Sequence, residues 1–158
     1  ISVDTYKGSV ADVAVQAGAD LVNDVWGLKY DPKMAGVIAK HDVACCLMHN
    51  KANTEYNNFL TDMLTETQEC VNIARKAGIK DERIILDPGV GFGKTYEMNL
   101  ETMDHLELFQ HLDSRYFSAL PVIHDRSYTR SSGWPACRRN NCHFCHWSYE
   151  RLCFRASP

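Results

Sequence analysis

No stretch of this chain is apolar for long enough to cross a membrane. Its opening residues lack the basic-then-apolar pattern of a secretory leader. Basic charge is in short supply, with a net charge of −3, which argues against a nucleic-acid partner. Lysine is missing altogether from residues 113–158, although eight lie before them. What remains is ordinary for a globular protein: 158 residues, 45% apolar and 23% charged, are enough for one domain with a real core.

The missing lysines mark a break in composition. Residues 1–112 carry 10 basic and 17 acidic side chains, and residues 113–158 carry 7 basic, all arginine, and 3 acidic. Cysteine shifts as well: Cys45, Cys46 and Cys70 lie in the first part, while Cys137, Cys142, Cys145 and Cys153 crowd the second. Two sources of sequence are expected, a domain over 1–112 and an atypical tail over 113–158. The first residue is Ile1 rather than Met, and it opens inside a strand pattern, so residues upstream are expected as well.

Residues 1–112 alternate strand and helix signals. Strands are expected at 1–4, 20–24, 43–49 and 83–87. Helices are expected at 10–17, from an Asp31–Pro32 cap to about Lys40, at 56–77 and at 96–112, with Gly18 and Gly78 as stops. Four strand–helix units with short connections predict parallel α/β structure. Asp4, Asn23, His49 and Asp87 each sit where a strand gives way to a loop. A (β/α)8 TIM barrel gathers such ends on one face, whereas an open sheet gathers only the pair at its switch point. The fold expected is therefore a partial (β/α)8 barrel of about four βα units, followed by an irregular tail.

The chemistry is concentrated in Ile84-Ile-Leu-Asp-Pro-Gly-Val-Gly-Phe-Gly-Lys-Thr95, a strand ending in a carboxylate and then a glycine-rich loop. Glycines allow positive φ and close backbone approach. A phosphate-cradling P-loop would need glycine at position 88, which is Pro88, so that reading is rejected.

Taken together, "ISVDTYK", "GADLVNDVWGLKYDP", "CLMHN" and "ILDPGVGFGKTYEMNLE" resemble the dihydropteroate synthases of bacteria, over residues 1 to about 112. The resemblance implies a (β/α)8 barrel of which this chain spans about the third to sixth units. It implies condensation of 6-hydroxymethyl-7,8-dihydropterin diphosphate with p-aminobenzoate to 7,8-dihydropteroate, with Mg2+ assisting departure of diphosphate. It further implies a cytoplasmic folate-pathway transferase, a sulfonamide target and a homodimer, without nucleic-acid or membrane partners. By the same resemblance Asp87, Asn23 and Asp4 contact the pterin, with Asp4 near the reacting end as the candidate catalytic residue, and Met48 and Phe92 wall the pterin slot.

Physical chemistry is compatible with those assignments. A pterin presents a donor–donor edge that a carboxylate can accept, and an amide matches mixed ring positions. Each residue also has a plainer explanation, since an acid at a strand end often caps the next helix and Met48 alone suits a core. His49 and Lys94 receive no role. The family's metal-contacting Asn, its Thr-Arg pair, its "SRK" lysine and its "RVH" segment are not present as written, so the chain alone is expected not to catalyse, and no metal ligand is assigned. A half barrel also exposes two sheet edges, so Val43 to Leu47 and Ile84 to Leu86 are expected to be partly solvated and prone to associate.

In the tail, Cys137, Cys142, His143, Cys145 and His146 invite a zinc-binding, non-enzymatic alternative, and a methyltetrahydrofolate methyltransferase-like barrel is the alternative enzyme. A shifted reading frame accounts for more: back-translation of Ile123–Pro158 with one base dropped can yield family-like sequence ending in "RVH".

Overall fold

The computed structural model describes residues 1–112; the expected tail, its frame-shift reading and its Cys/His cluster lie outside the described residues. The elements are β1 (Ser2–Asp4), α1 (Gly8–Gln16), β2 (Leu21–Asp24), α2 (Met34–His41), β3 (Ala44–Met48), α3 (Phe59–Lys76), β4 (Ile84–Asp87) and α4 (Tyr96–Asp104), followed by a 3-10 turn at Leu106–His111.

All four strands are parallel and lie side by side in chain order. Crossovers of one hand then place every helix on the same face. The packing agrees: Val22, Cys45, Leu47, Ile84 and Leu86 join Ala11, Ile38, Met63 and Val71 of the helices in one buried cluster. A doubly wound sheet would reverse its order at a switch point, and none occurs among the four described strands. The architecture is that of four consecutive βα units of a (β/α)8 barrel.

Helix boundaries depart from the sequence expectation where capping chemistry decides them. Asp31 does not cap α2. Its carboxylate accepts from the Lys33 N–H at 2.9 Å and, across the structure, from the Gly8 N–H at 2.7 Å. That second bond gives α1 its missing cap, and α1 starts two residues before Val10. The helix expected from Tyr56 starts at Phe59, because Asn58 adopts extended backbone and accepts from the Thr61 N–H. The helix expected through Leu112 ends at Asp104: no basic side chain occupies its last turn, and His105 leaves helical dihedrals.

The solvation expected of the apolar strands is limited. Cys45, Leu47, Ile84 and Leu86 are buried under the helices, and only Val43, Ala44 and Ile85 remain half-buried. The Asn58 cap supports the longest of those helices. Asn58→Ala should lower stability by ~1 kcal/mol in urea unfolding, while Asn58→Ser should cost much less.

Candidate functional site

Sheet register builds the site. Asp4 pairs laterally with Asn23, Asn23 with Cys46, and Met48 with Asp87. Paired residues of parallel strands project to the same face, as do residues two apart on one strand. Asp4, Asn23, Cys46, Met48 and Asp87 therefore share the face opposite the helices, with Asp4, Met48 and Asp87 the last residues of their strands, Asn23 next to last and Cys46 mid-strand. The intervening Val3, Val22, Cys45 and Ile84 turn toward the helices. Four of the five site residues read from the sequence are thus brought onto one surface.

Their environments differ. Asp4 is exposed, Asn23 half-buried, and Met48 and Asp87 buried. Cys46 lies between the acids. Burial, followed by the charge of Asp87 and then those of Cys45 and Asp4, pushes its thiol up to about 12. It stays protonated at neutral pH and is no nucleophile. Asp87 Oδ1 accepts from the Gly89 N–H at 2.8 Å. Burial raises the Asp87 carboxyl above its ordinary value, while the Gly89 N–H and the Lys94 charge pull the other way. Its second oxygen has no hydrogen-bond partner among the described residues.

The fifth residue, Phe92, belongs to the loop after β4. Gly89, Gly91 and Gly93 all have positive φ, at 68°, 89° and 58°. Two of them also need the missing side chain: a Cβ at Gly89 would overlap the His49 carbonyl oxygen, and one at Gly93 the Lys51 carbonyl oxygen. The loop so formed leaves Phe92 41% exposed, unusual for a large apolar ring.

Sequence reading missed the support beneath this loop. Lys94 and His49, given no role, are 9% and 2% exposed. Lys94 Nζ lies 3.0 Å from His49 Nδ1, and His49 Nε2 lies 2.9 Å from Glu66 Oε2. Asp24, also missed, is fully buried and accepts from the Trp26 and Leu28 N–H groups, shaping the loop after β2. The one available signal for Lys94 was a charged side chain inside a glycine loop; Glu66, in mid-helix, gave none.

His49 makes stability depend on pH. Burial and then the Lys94 charge lower its pKa to about 4, against the pull of Glu66. An unfolded histidine takes its proton near 6.5. Between these values the unfolded chain binds more protons, so stability falls as pH drops from ~6.5 toward ~4. Burial raises Glu66, but hydrogen bonds from His49 and Lys51 outweigh it and leave it lowered, which adds loss in the same direction as pH falls. Urea unfolding at pH 7 and pH 4.5 should differ by on the order of 2 kcal/mol, and His49→Gln should flatten that slope.

Among the described residues no group of three or more His, Cys, Asp or Glu side chains is placed to hold a metal ion. No described helix is long and apolar enough to cross a membrane.

Residues 1–146 match the family model described as pterin binding enzyme. The chain belongs to the pterin-binding enzyme family. Asp4, Asn23, Met48, Asp87 and the whole glycine loop fall inside the matched range. Among pterin-binding enzymes, the dihydropteroate synthase of Clostridium beijerinckii is 60% identical over 112 residues, covering 71% of this chain and 42% of the relative. Solved structures agree on the fold. The dihydropteroate synthase of Clostridium difficile, crystallised in the presence of pteroic acid, has a TM-score of 0.71 and 42% identity, over 73% of this chain and 44% of that one. That of Thermus thermophilus, in complex with 6HMPPP, has a TM-score of 0.67 and 36% identity, over 73% of this chain and 45% of that one. The chain therefore spans less than half the length of the relatives it matches.

Proposed function

We propose that this chain is the pterin-holding part of a dihydropteroate synthase. The reading is carried by one observation: Asp87, whose second carboxylate oxygen has no partner among the described residues, and Asn23 share the face of the sheet turned away from the helices. The pterin lies against that face. Its 2-amino group and neighbouring ring N–H donate to Asp87, Asn23 meets ring positions of mixed character, and Met48 and Phe92 contact the flat ring. Asp4, exposed at the end of β1, lies toward the reacting methylene.

The whole enzyme joins this pterin to p-aminobenzoate. The aniline nitrogen attacks the 6-methylene carbon, the carbon–oxygen bond to diphosphate breaks as the carbon–nitrogen bond forms, and the nitrogen loses a proton. The part assigned to the residues here is orientation: they fix the pterin so that the methylene faces the incoming amine. Magnesium, which the resemblance to dihydropteroate synthases implies, meets no group of three or more His, Cys, Asp or Glu side chains among the described residues. A cytoplasmic site of action and a dimeric whole protein belong to the same proposal.

Fluorescence titration of the purified, folded chain with 6-hydroxymethylpterin tests the reading. Saturable binding at one site per chain is expected. A folded chain that shows no saturable binding overturns it.

A further inference from the structure

The loop after β4 folds around its own lysine. Lys94 Nζ donates to Gly89 O at 2.9 Å, to Phe92 O at 3.0 Å and to His49 Nδ1 at 3.0 Å. An ammonium has three N–H donors, and three acceptors meet it. Because Nδ1 accepts, the neutral His49 ring carries its proton on Nε2 and donates it to Glu66 Oε2. Glu66 belongs to α3, and its other oxygen accepts from Lys51 Nζ at 3.1 Å. Lys51 lies 4.4 Å from the centre of the Tyr56 ring, whose hydroxyl donates to Gly93 O at 2.8 Å. The inward carbonyls of the loop are thus tied, through side chains, to a helix on the far side of the sheet.

Stability alone does not account for this arrangement. An ammonium is expensive to bury, and a packed apolar side chain often serves a core as well or better. Burial lowers the Lys94 pKa to about 8, with Asp87 and Glu66 opposing it. An apolar chain at position 94 could fill the same space, but it could not hold two carbonyls of one short loop. Those carbonyls bracket the segment that carries Phe92 and begins at Gly89, whose N–H is bonded to Asp87.

We propose that Lys94, backed by His49 and Glu66, is a positioning residue that fixes the Gly89–Phe92 backbone so that Phe92 and the unpaired Asp87 oxygen meet a flat, amino-substituted heterocycle together. The identity of that heterocycle rests on the pterin reading above; the positioning itself is a property of the ligand-free chain and is measured there.

In the wild-type chain, the Lys94 ammonium protons should be visible by 1H–15N NMR near pH 6 and exchange slowly with water, and His49 Nδ1 should show the 15N shift of an unprotonated acceptor. Lys94→Met should speed hydrogen exchange at the Gly91 to Gly93 amides by about tenfold or more, with the Leu47 and Leu86 amides unchanged, and should weaken 6-hydroxymethylpterin binding about tenfold or more. Lys94→Arg, which keeps charge and donors, should recover part of both. A freely exchanging ammonium in the wild type overturns the proposal even if the Met variant does not fold. Unchanged loop exchange in a folded Lys94→Met chain also overturns it. Failure of the wild type to bind the pterin, with the loop effects intact, overturns the pterin reading and leaves the positioning role standing.

Discussion

Asp87→Asn should weaken binding of 6-hydroxymethylpterin by about a hundredfold or more while leaving the fold nearly untouched. The substitution is close to isosteric, and it discriminates between the two jobs of the side chain. Asn Oδ1 can still accept from the Gly89 N–H, the bond that Asp87 makes at 2.8 Å. What changes is the other side, where the unpaired oxygen becomes an NH2 group. One donor of the pterin edge then faces an N–H of the protein, and a charge-assisted pair of hydrogen bonds is reduced to at most one neutral bond at Oδ1, already shared with Gly89. Hydrogen bonds to a charged group contribute ~1.5–3 kcal/mol each, and stranding buried donors adds to the loss, so an effect of ~3 kcal/mol or more is expected. At ~1.4 kcal/mol per decade, that is a hundredfold or more in affinity. Titration calorimetry with the pterin, alongside urea unfolding of both proteins, measures the two effects separately. Binding within threefold of wild type would remove Asp87 from the pterin edge. A large loss of stability with proportionate loss of binding would make its Gly89 bond the whole of its role.

How far the sequence alone reached follows from how local each signal is. Alternation of strand and helix patterns placed all four βα units, because each needs only its own residues and a glycine stop such as Gly18 or Gly78. Strand-end polarity then predicted which face Asp4, Asn23 and Asp87 would share, since a parallel sheet in chain order leaves one arrangement. The helix starts were less legible because their caps are not always local. Asp31 satisfies the Gly8 N–H, 23 residues away, and nothing near Gly8 announces it. Lys94 and His49 were only partly legible: a charge inside a glycine loop and a polar residue at a strand end mark their places, but their meaning lies in a contact 45 residues apart. The exposure of Phe92 was legible, because a large apolar ring inside a glycine loop is hard to place in a core.

The largest structural effect is expected from Gly89→Ala, read against Gly91→Ala. Both glycines have positive φ, at 68° and 89°, where an alanine costs ~1–3 kcal/mol from backbone strain. They differ in what surrounds them. At Gly91 an added Cβ meets nothing within 4 Å, so strain is the whole cost. At Gly89 it would overlap the His49 carbonyl, and that group is pinned because the His49 N–H donates to Asp87 O at 2.9 Å, joining β3 to β4. A flexible side chain could move aside; a carbonyl continuous with two strands can do so only by breaking that bond or by lifting the loop from Lys94. Gly89→Ala should therefore cost at least ~2 kcal/mol more than Gly91→Ala in urea unfolding. It should also release the Gly91 to Gly93 amides to fast exchange and abolish pterin binding, because Phe92 and Asp87 are both referenced to the Gly89 peptide. Gly91→Ala should keep most of the binding. Equal destabilisation by the two substitutions would mean that the loop is not seated on the His49 carbonyl, and the geometry assigned to Phe92 and Asp87 would fall with it.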